Sequence, residues 1–559
     1  MPTAKRSGLA WAERHFDTRD NGHPPMSFQP PTSQTIPTLL SEQVQRFGER
    51  PALVAGPHRL NYSQLRREVM RTAAGLHALG VRRGDHVGIL MGNRQEWVLG
   101  FLALQQLGAV SVGLNTWATP REFVYALTHA QISVLVCVDR FKRTPWHSQV
   151  SAMQAAGELP DLRRTVWVSA DAQQPPPLNA AAAELGWDAM LAQGQATAAA
   201  VVEAAGLVAS PDDVAMLLYT SGSTAAPKGI LLQHGHWIRN GFHIGERQHV
   251  GPEDRLWLAV SLFWSYGCVN ALPNLLTHGG CVVLQEHFDA QEGLRLIEAE
   301  RCSIIYATPN IVQALQEHPD RPGRDLSSLR SGAIIGTPEQ IQVAIDLGAH
   351  EICNVYGLSE TYGNCAVIDA GEPLEVRLQS VGAPLPDVTV RICHIETGQV
   401  LPAGEVGEIR IKGPLFLAYH REPEKTAESF DDYGFFHSGD LGWQDAQGRL
   451  YYRGRLKEMV KSGGINIAPV EVEESLMRYA GVRSAYVIGV PHPVLDEALA
   501  AIVILEAGVQ LTPEELKRHC QTELSAYKVP LVYHFTTTDR LPLTTTGKLQ
   551  KMMLHTLLP

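Results

Sequence analysis

The sequence has 559 residues, of which 45% are hydrophobic and 19% are charged. This composition supplies a large apolar core, so it excludes a disordered chain and a minimal binding module. The formal net charge of −11 disfavours general binding to nucleic acids or anionic membranes, because both are polyanions. Any phosphate site must therefore be built locally from a few cationic side chains.

The first elements after residue 60 alternate between helices and strands. Apolar residues recur at three- and four-residue steps over 65–79, which predicts an amphipathic helix that stops at Gly80. A second helix is predicted at 96–107. Short apolar segments with the length of strands are found at 87–90, 110–114 and 134–138.

A further helix is predicted to begin at Thr119-Pro120-Arg121-Glu122. Threonine caps a helix, proline suits its first position, and the glutamate can close a capping box. The alternation of strands and helices predicts a doubly wound parallel sheet that is covered on both faces. In such sheets the ligands bind at the carboxyl ends of the strands.

Residues 139–210 interrupt this rhythm with a triple proline and alanine-rich stretches, which predict surface loops and a peripheral helix without function. Strands resume at 214–219 and 229–233. After Gly404 the chain is rich in predicted strands, and a new α+β segment follows from about residue 457. The predicted class is α/β, with a domain boundary near residues 455–457.

The eight cysteines are scattered along the chain without a C-x-x-C pair or a disulfide ladder. The polar N-terminal stretch around Asp17 and Asp20 lacks the apolar core of a signal peptide. No apolar run reaches the roughly 18 residues that a transmembrane helix requires. We therefore predict reduced structural thiols, no transmembrane segment and a cytoplasmic location.

One loop between two predicted strands has the composition of a phosphate site. The string Tyr219-Thr-Ser-Gly-Ser-Thr-Ala-Ala-Pro-Lys-Gly229 combines small residues, hydroxyls and a lysine. Small residues let backbone N–H groups turn towards an anion, and hydroxyls and the lysine add donors and charge. The pattern is not the P-loop G-x-x-x-x-G-K-[ST], so P-loop nucleotide hydrolysis is not implied. The predicted ATP contacts in this loop are Thr220, Ser221, Gly222, Ser223, Thr224 and Lys228.

This loop resembles the signature Y-T-S-G-[ST]-T-G-x-P-K-G of the acyl-adenylate-forming superfamily of acyl-CoA synthetases, luciferases and peptide-synthetase adenylation domains. One position departs, because Ala225 stands where the family usually has glycine. Alanine is small enough for a phosphate still to approach. The resemblance implies an extension at 1–35, an AMP-binding domain at 36–455 with doubly wound sheets and a β-rich subdomain, and a small mobile α+β domain at 456–559.

The string Tyr356-Gly-Leu-Ser-Glu-Thr resembles the family motif Y-G-x-[ST]-E-[TS]. By that match Tyr356 lies on the adenine, Ser359 lies near the α-phosphate, and Glu360 holds Mg²⁺ against the triphosphate. A carboxylate suits a hard cation whose other ligands are phosphate oxygens and water. The resemblance adds Thr220 as a second contact to the metal and Asn354 as an ATP-binding residue.

Three further motifs follow in the family's order. The string H-S-G-D, which ends at Asp440, resembles the T-G-D motif whose aspartate binds both ribose hydroxyls. Arg455 and Lys457 match the hinge motif, in which the arginine reaches ribose or phosphate and the hinge residue absorbs the rotation of the C-terminal domain. Lys548 matches the lysine of P-x-T-x-x-G-K, which bridges the substrate carboxylate and the α-phosphate.

The resemblance implies an acid:CoA ligase that works in two steps. A carboxylate attacks the α-phosphate of ATP to give acyl-AMP and pyrophosphate, and the acyl group then passes to CoA. Charge crowding is the main barrier to the first step, so Lys548, Lys228 and Mg²⁺ are expected to dominate catalysis without a general base. The predicted catalytic residues are Lys548, Glu360 and Lys457, with Mg²⁺ as cofactor and ATP and CoA as co-substrates.

The predicted tunnel for CoA and the acyl group contains Trp264, Lys461 and Gly464. Gly464 matches the glycine that lets pantetheine pass, and Trp264 stands where acyl-CoA ligases usually have a histidine gate; a core tryptophan is the alternative. Residues 261–267 contain no acid to pair with an α-ammonium group. We therefore expect an apolar carboxylic acid, fatty, alicyclic or aryl. Residues 331–336 depart from the usual S-G-G-A-P-L, so the acid itself is not predicted.

Two alternatives stay open at this point. One is an acyl-AMP ligase that loads a carrier-protein thiol, although no obvious inserted segment of that class is present. The other is a catalytically silent binder of the same fold. Nucleic acid is not expected as a partner, and a homodimer is left open.

Overall fold

A computed structural model gives the fold and describes residues 28–171, 173–179, 183–220, 227–462, 465–493, 495–524, 526–543 and 549–558. The strands in the described part of the chain are β1 Pro51–Ala55, β2 His58–Asn61, β3 His86–Leu90, β4 Val110–Gly113, β5 Val134–Val138, β6 Arg164–Val168, β7 Glu184–Gly186, β8 Val214–Thr220, β9 Lys228–Gln233, β10 Arg255–Leu258, β11 Cys281–Leu284, β12 Ile304–Tyr306, β13 Ser331–Ile334, β14 Glu351–Tyr356, β15 Ala366–Val367, β16 Thr389–Cys393, β17 Gly407–Lys412, β18 Ala418–Tyr419, β19 Phe436–Gln444, β20 Leu450–Arg455, β21 Val460–Ser462, β22 Ile465–Ile467, β23 Val482–His492, β24 Asp496–Leu505 and β25 Val532–Thr536.

The α-helices in the same residues are α1 Ile36–Phe47, α2 Tyr62–Ala78, α3 Gln95–Leu107, α4 Pro120–His129, α5 Trp146–Ala155, α6 Trp187–Gly194, α7 Ala199–Leu207, α8 His234–Arg247, α9 Leu272–His278, α10 Ala290–Ala299, α11 Pro309–Gln316, α12 Pro338–Leu347, α13 Leu374–Gln379, α14 Pro423–Glu428, α15 Pro469–Met477 and α16 Pro513–Glu523. A π-helix at Tyr266–Ala271 precedes α9.

Two eight-stranded sheets form most of the chain. The first has the order β18-β9-β8-β4-β3-β5-β6-β7, in which the strands from β8 to β7 are parallel. The second has the order β15-β14-β13-β12-β10-β11-β1-β2, with antiparallel strands only at its two edges. All five residues of β5 are buried, as a strand covered on both faces requires. These sheets confirm the predicted α/β class.

The start of α4 confirms the predicted capping box. The Thr119 hydroxyl accepts a hydrogen bond from the Glu122 N–H at 3.3 Å, and the Glu122 carboxylate accepts one from the Thr119 N–H at 2.8 Å. Pro120 occupies the first helical position. The helix therefore begins where the local sequence satisfies its free N–H groups.

The prediction for residues 139–210 was wrong in part. This region contains β6 and β7, which extend the first sheet, and the side chains of Val166 and Trp167 in β6 are almost fully buried. A five-residue strand is too short to show a clear period beside the proline- and alanine-rich connections that surround it. The region therefore completes the sheet instead of lying wholly at its periphery.

The C-terminal part forms a smaller sheet with the order β22-β21-β24-β23, and β25 adds to β24. Its apolar core starts at Val460 and forms a cluster of its own with α15 and α16. A four-stranded antiparallel sheet, β16-β17-β19-β20, precedes it. Two ion pairs cross from residues before 455 to this part, Arg453 to Glu474 at 3.3 Å and Glu317 to Arg483 at 2.9 Å. The boundary near 455–457 stays a prediction.

All eight cysteines are described, and each is buried and unpaired. Burial raises the thiol pKa of every one of them, to about 11 for Cys281 and to about 12 for Cys365. In the part of the chain that the structure describes, no helix is both long enough and apolar enough to traverse a bilayer.

Candidate active site

A single cavity of about 1250 Å³ brings several of the sequence motifs together. The lining residues that belong to those motifs include Tyr219, Lys228, Ser359, Glu360, Ser438, Gly439, Arg455 and Lys457. Leu543 and Leu549, which flank the segment that contains Lys548, also line it. Residues that are far apart in the chain therefore converge on one volume, as a binding site requires.

The phosphate-loop motif is carried by the antiparallel hairpin of β8 and β9, in which Thr220 pairs with Lys228. Ser221, Gly222, Ser223 and Thr224 lie outside the described residues. The ammonium group of Lys228 lies 4.6 Å from the centroid of the Tyr419 ring. The hydroxyl of Tyr419 in turn donates to Glu360 Oε1 at 2.8 Å. One tyrosine thus contacts both the cation and the carboxylate of this corner.

The backbone around Glu360 is held by two further hydrogen bonds. The Ser359 hydroxyl donates to the Ser265 hydroxyl at 3.1 Å, and the Phe416 N–H donates to the carbonyl oxygen of Glu360 at 2.7 Å. The 3-10 turn Ser359–Thr361 therefore has partners on both sides. The carboxylate of Glu360 therefore reaches the cavity from a backbone that is held in place by hydrogen bonds.

A second corner is built around Asp440. The Tyr356 hydroxyl donates to Asp440 Oδ2 at 2.9 Å, and the Tyr356 ring lies 5.6 Å from the ring of Tyr452. Asp440 Oδ1 is buried and has no hydrogen-bond donor among the described residues; Arg455 Nε lies 3.4 Å from it. Burial raises the pKa of Asp440 to about 6, against the opposing charge of Arg455. A buried acceptor without a donor is costly unless a ligand supplies one.

The hinge motif also borders the cavity. Lys457 lies in the 3-10 turn Leu456–Glu458, and burial together with the neighbouring Arg455 lowers its pKa. The pKa of Arg455 is raised, because the negative charge of Asp440 and its neighbours outweighs burial, which acts in the opposite direction. Lys548 and Gly464 lie outside the described residues. The roles of these four residues remain predictions.

An aromatic wall, defined by Trp117, Phe263 and Trp264, closes the side of the cavity beyond β4. The Trp117 ring centroid lies 5.4 Å from that of Phe263 and 5.9 Å from that of Trp264. Trp264 is half-buried and lines the cavity, so it contacts the site as well as the core. Glu122 and Glu360 are the acidic side chains among the described lining residues, and neither belongs to this wall.

Four predicted residues are not among the described residues that line the cavity. Tyr356 and Asp440 lie next to the lining residues Gly357 and Gly439 in the chain, whereas Asn354 and Lys461 are turned elsewhere. Asn354 is buried in β14, where its Oδ1 accepts a hydrogen bond from the Val355 N–H at 3.0 Å. Lys461 is exposed, and its N–H donates to Glu497 Oε2 at 2.8 Å. Neither is among the described lining residues. Motif position alone did not reveal which way these side chains point.

The sequence analysis missed Tyr419 and Ser265. Tyr419 lies outside the matched motifs, and Ser265 lies in the stretch 261–267, which was considered only for its lack of an acid. The two residues contact Glu360 and Ser359 because β18 and the start of the π-helix approach the same turn. No local signal marks either residue, because a single tyrosine at a strand end is common. Contact with a motif residue was the missing information.

The chain matches a family model described as "AMP-binding enzyme" over residues 40–420 and one described as "AMP-binding enzyme C-terminal domain" over residues 471–548. A feruloyl-CoA synthase from Amycolatopsis sp is 36% identical, with 92% of this chain and 97% of that protein covered. A medium-chain acyl-CoA ligase from Mus musculus is 31% identical, with coverages of 98% and 89%.

The chain is also similar to solved structures. MatB from Rhodopseudomonas palustris, in a crystal structure with ATP bound, is 26% identical with a TM-score of 0.79, and 93% of this chain and 98% of that chain are covered. The anthranilate CoA ligase AuaEII, in complex with anthranoyl-AMP, is 25% identical with a TM-score of 0.80 and coverages of 93% and 96%.

Proposed function

The chain belongs to the family of AMP-binding enzymes and is an AMP-forming acid:CoA ligase, and we propose that it activates an apolar carboxylic acid with the help of Mg²⁺. One observation carries the proposal. Residues from each of the phosphate, metal, ribose and hinge motifs, and both neighbours of the Lys548 segment, line a single cavity, and Asp440 and Tyr356 directly adjoin its lining residues in the chain. Two reactions that share one site need this arrangement.

In the first step a carboxylate oxygen bonds to the α-phosphorus of ATP and the bond to pyrophosphate breaks. Lys228 and Lys548 offset the negative charge that crowds around this phosphorus. Asp440 accepts hydrogen bonds from the ribose hydroxyls, and support comes from its buried Oδ1, which accepts no hydrogen bond from the described residues. Tyr356, held by its hydrogen bond to Asp440, contacts the adenine.

Glu360 suits a magnesium ion that arrives with the nucleotide. Among the described residues no three His, Cys, Asp or Glu side chains come together as metal ligands, so the protein offers one carboxylate here instead of a cage. Mg²⁺ typically takes one or two carboxylates and fills its other positions with phosphate oxygens and water. When bound, the ion neutralises charge on the leaving pyrophosphate. Tyr419 holds the carboxylate that would receive it.

In the second step the CoA sulfur bonds to the acyl carbon, the bond to the phosphate oxygen breaks, and AMP leaves. The C-terminal part from residue 456 turns about Lys457 between the steps and removes Lys548 from the site. Support comes from the small size of the turn that carries Lys457. The rotation breaks the two ion pairs that cross to the C-terminal part, both of which are partly exposed and therefore weak. Gly464 then borders the path of the thiol.

The aromatic wall supports an apolar acid. Trp117, Phe263 and Trp264 present ring faces and edges, and none of them carries a carboxylate that could neutralise the charge of an ammonium group. Burial of an unpaired charge against such a wall is costly. Fatty, alicyclic and aryl acids all satisfy this condition. The unpaired state of the eight cysteines fits a cytoplasmic location, and the oligomeric state is left open.

A product assay tests this function. The protein is incubated with ATP, Mg²⁺, CoA and a panel of aliphatic, alicyclic and aryl acids, with an α-amino acid as the control. We expect AMP, pyrophosphate and an acyl-CoA thioester with at least one apolar acid and none with the amino acid. ADP as the nucleotide product, or turnover only with a carrier-protein thiol, would contradict the proposal.

A further inference from the structure

We infer that Tyr419 is a positioning residue, which keeps the phosphate lysine and the metal carboxylate of the active site apart and correctly oriented. This inference rests on the proposed function, because it assigns Tyr419 a role in receiving Mg²⁺ and ATP. Tyr419 is 4% exposed, and its backbone pairs with Ile230 of β9. Tyr419 is therefore buried in the strand that pairs directly with the hairpin that carries Lys228.

Tyr419 contacts two opposite charges, one through its ring and the other through its hydroxyl. Its ring lies under the Lys228 ammonium group at 4.6 Å, which is within the range of a cation–π contact. Its hydroxyl donates to Glu360 Oε1 at 2.8 Å.

The position of Tyr419 explains why the cation and the carboxylate do not pair with each other. Lys228 and Glu360 both line the cavity, and among the described residues the two are not joined by an ion pair within 4.0 Å. A direct pair would neutralise both charges, and a nucleotide with its metal would first have to break it. The phenol ring separates them and leaves each charge available to the ligand.

The anchoring of Tyr419 makes this spacing rigid. Its N–H donates to the Thr426 hydroxyl at 3.0 Å, and its ring packs against Phe416 at a centroid distance of 4.7 Å. Phe416 also donates its N–H to the carbonyl oxygen of Glu360. The short segment 416–419 thus holds the backbone and the side chain of Glu360 together. A site with fixed charges needs less rearrangement when its ligand arrives.

Equilibrium binding of ATP, measured by calorimetry with and without Mg²⁺ and without acid or CoA, tests the inference. Tyr419→Phe keeps the ring and removes the hydroxyl, so we expect ATP binding without Mg²⁺ to change little and the gain from Mg²⁺ to fall about tenfold, as for the loss of a hydrogen bond to a charged group. Tyr419→Leu also removes the ring, so ATP binding without Mg²⁺ should fall too. The matched control is Tyr433→Phe, whose phenol is 74% exposed.

A double-mutant cycle separates positioning from a general structural effect. If Tyr419 acts through Glu360, the Tyr419→Phe change should add almost nothing to the loss caused by Glu360→Gln. Additive losses, or an unchanged Mg²⁺ gain in folded Tyr419→Phe, would overturn the inference while the ligase assignment stands. If wild-type protein shows no Mg²⁺-dependent ATP binding, the proposed function fails together with it. Thermal unfolding of each variant confirms that it is folded.

Discussion

The two sides of the cavity are built by different means. On the nucleotide side, Lys228, Glu360 and Asp440 each have a specific partner at a defined distance. On the acid side, Trp117, Phe263 and Trp264 pack through ring contacts that many other side chains could replace. Hydrogen bonds and charges allow few substitutions, whereas packing allows many. Under the proposed function we therefore expect the motif residues to determine the reaction and the shape of the aromatic wall to determine the choice of acid.

This difference predicts that substitutions on the two sides of the cavity have different effects. A change on the nucleotide side should remove the first reaction or ATP binding for every acid. A change on the acid side should alter the preference among acids and leave ATP binding intact.

The largest expected effect is that of Lys548→Ala. Loss of a cation at the reacting phosphorus should lower acid-dependent exchange of pyrophosphate into ATP by about a thousandfold or more. Thioester formation from preformed acyl-AMP should stay close to wild type, because the proposed rotation of the C-terminal part takes this lysine out of the second reaction. Both half-reactions are measured separately. Lys517→Ala, on the exposed side of α16, is the control. Equal losses in both half-reactions would contradict a rotation between them.

The next effect is that of Asp440→Asn, which should weaken ATP binding about 10- to 100-fold through loss of a charged acceptor. The same change should stabilise the protein without ligand. The folded-state pKa of Asp440, about 6, is above its ordinary value of 3.8, so ionisation opposes folding. Stability contributed by the protonated group is complete below pH 3.8 and is lost as the pH rises through about 6.

Thermal unfolding at two pH values checks this sign. At pH near 7.5 the Asn variant should be more stable by about 1–3 kcal/mol, and near pH 4 the difference should vanish. The exposed Asp432→Asn is the matched control. If the Asn variant is instead less stable than the wild type near pH 7.5, the ionised carboxylate of Asp440 stabilises the ligand-free protein and the prediction is wrong.

The smallest effect is expected from Trp117→Leu. The change opens the aromatic wall, so kcat/KM for a bulky acid should change by about five- to tenfold, the usual scale for altered packing in an apolar pocket. The KM for ATP should stay within about twofold, since the wall touches none of the nucleotide-side pairs. Trp443→Leu, a tryptophan stacked on Tyr451 in the four-stranded sheet, is the control. A parallel change in the KM for ATP would remove the distinction between the two sides.

Much of the fold could be predicted from local sequence, because the signals were strong and short in range. The capping residues of α4 and the apolar strands β3, β4 and β5 are examples. β6 could not be predicted, because its place in the sheet depends on β5 beside it and not on its own five residues.

The site divides in the same way. Lys228, Glu360 and Asp440 belong to motifs and could be located from the sequence. Tyr419 could not, because its importance arises only from where β18 places its ring and its hydroxyl. Asn354 shows the converse, since a residue next to a motif can still turn its side chain into the core.

The burial of the cysteines has a chemical consequence for an enzyme of this kind. Acyl adenylates are mixed anhydrides, and thiolates attack them readily. None of the eight cysteines is among the described residues that line the cavity, and burial keeps every one of them protonated. The protein is thereby protected from acylating its own thiols. The sulfur that meets the activated acid is the one that CoA brings.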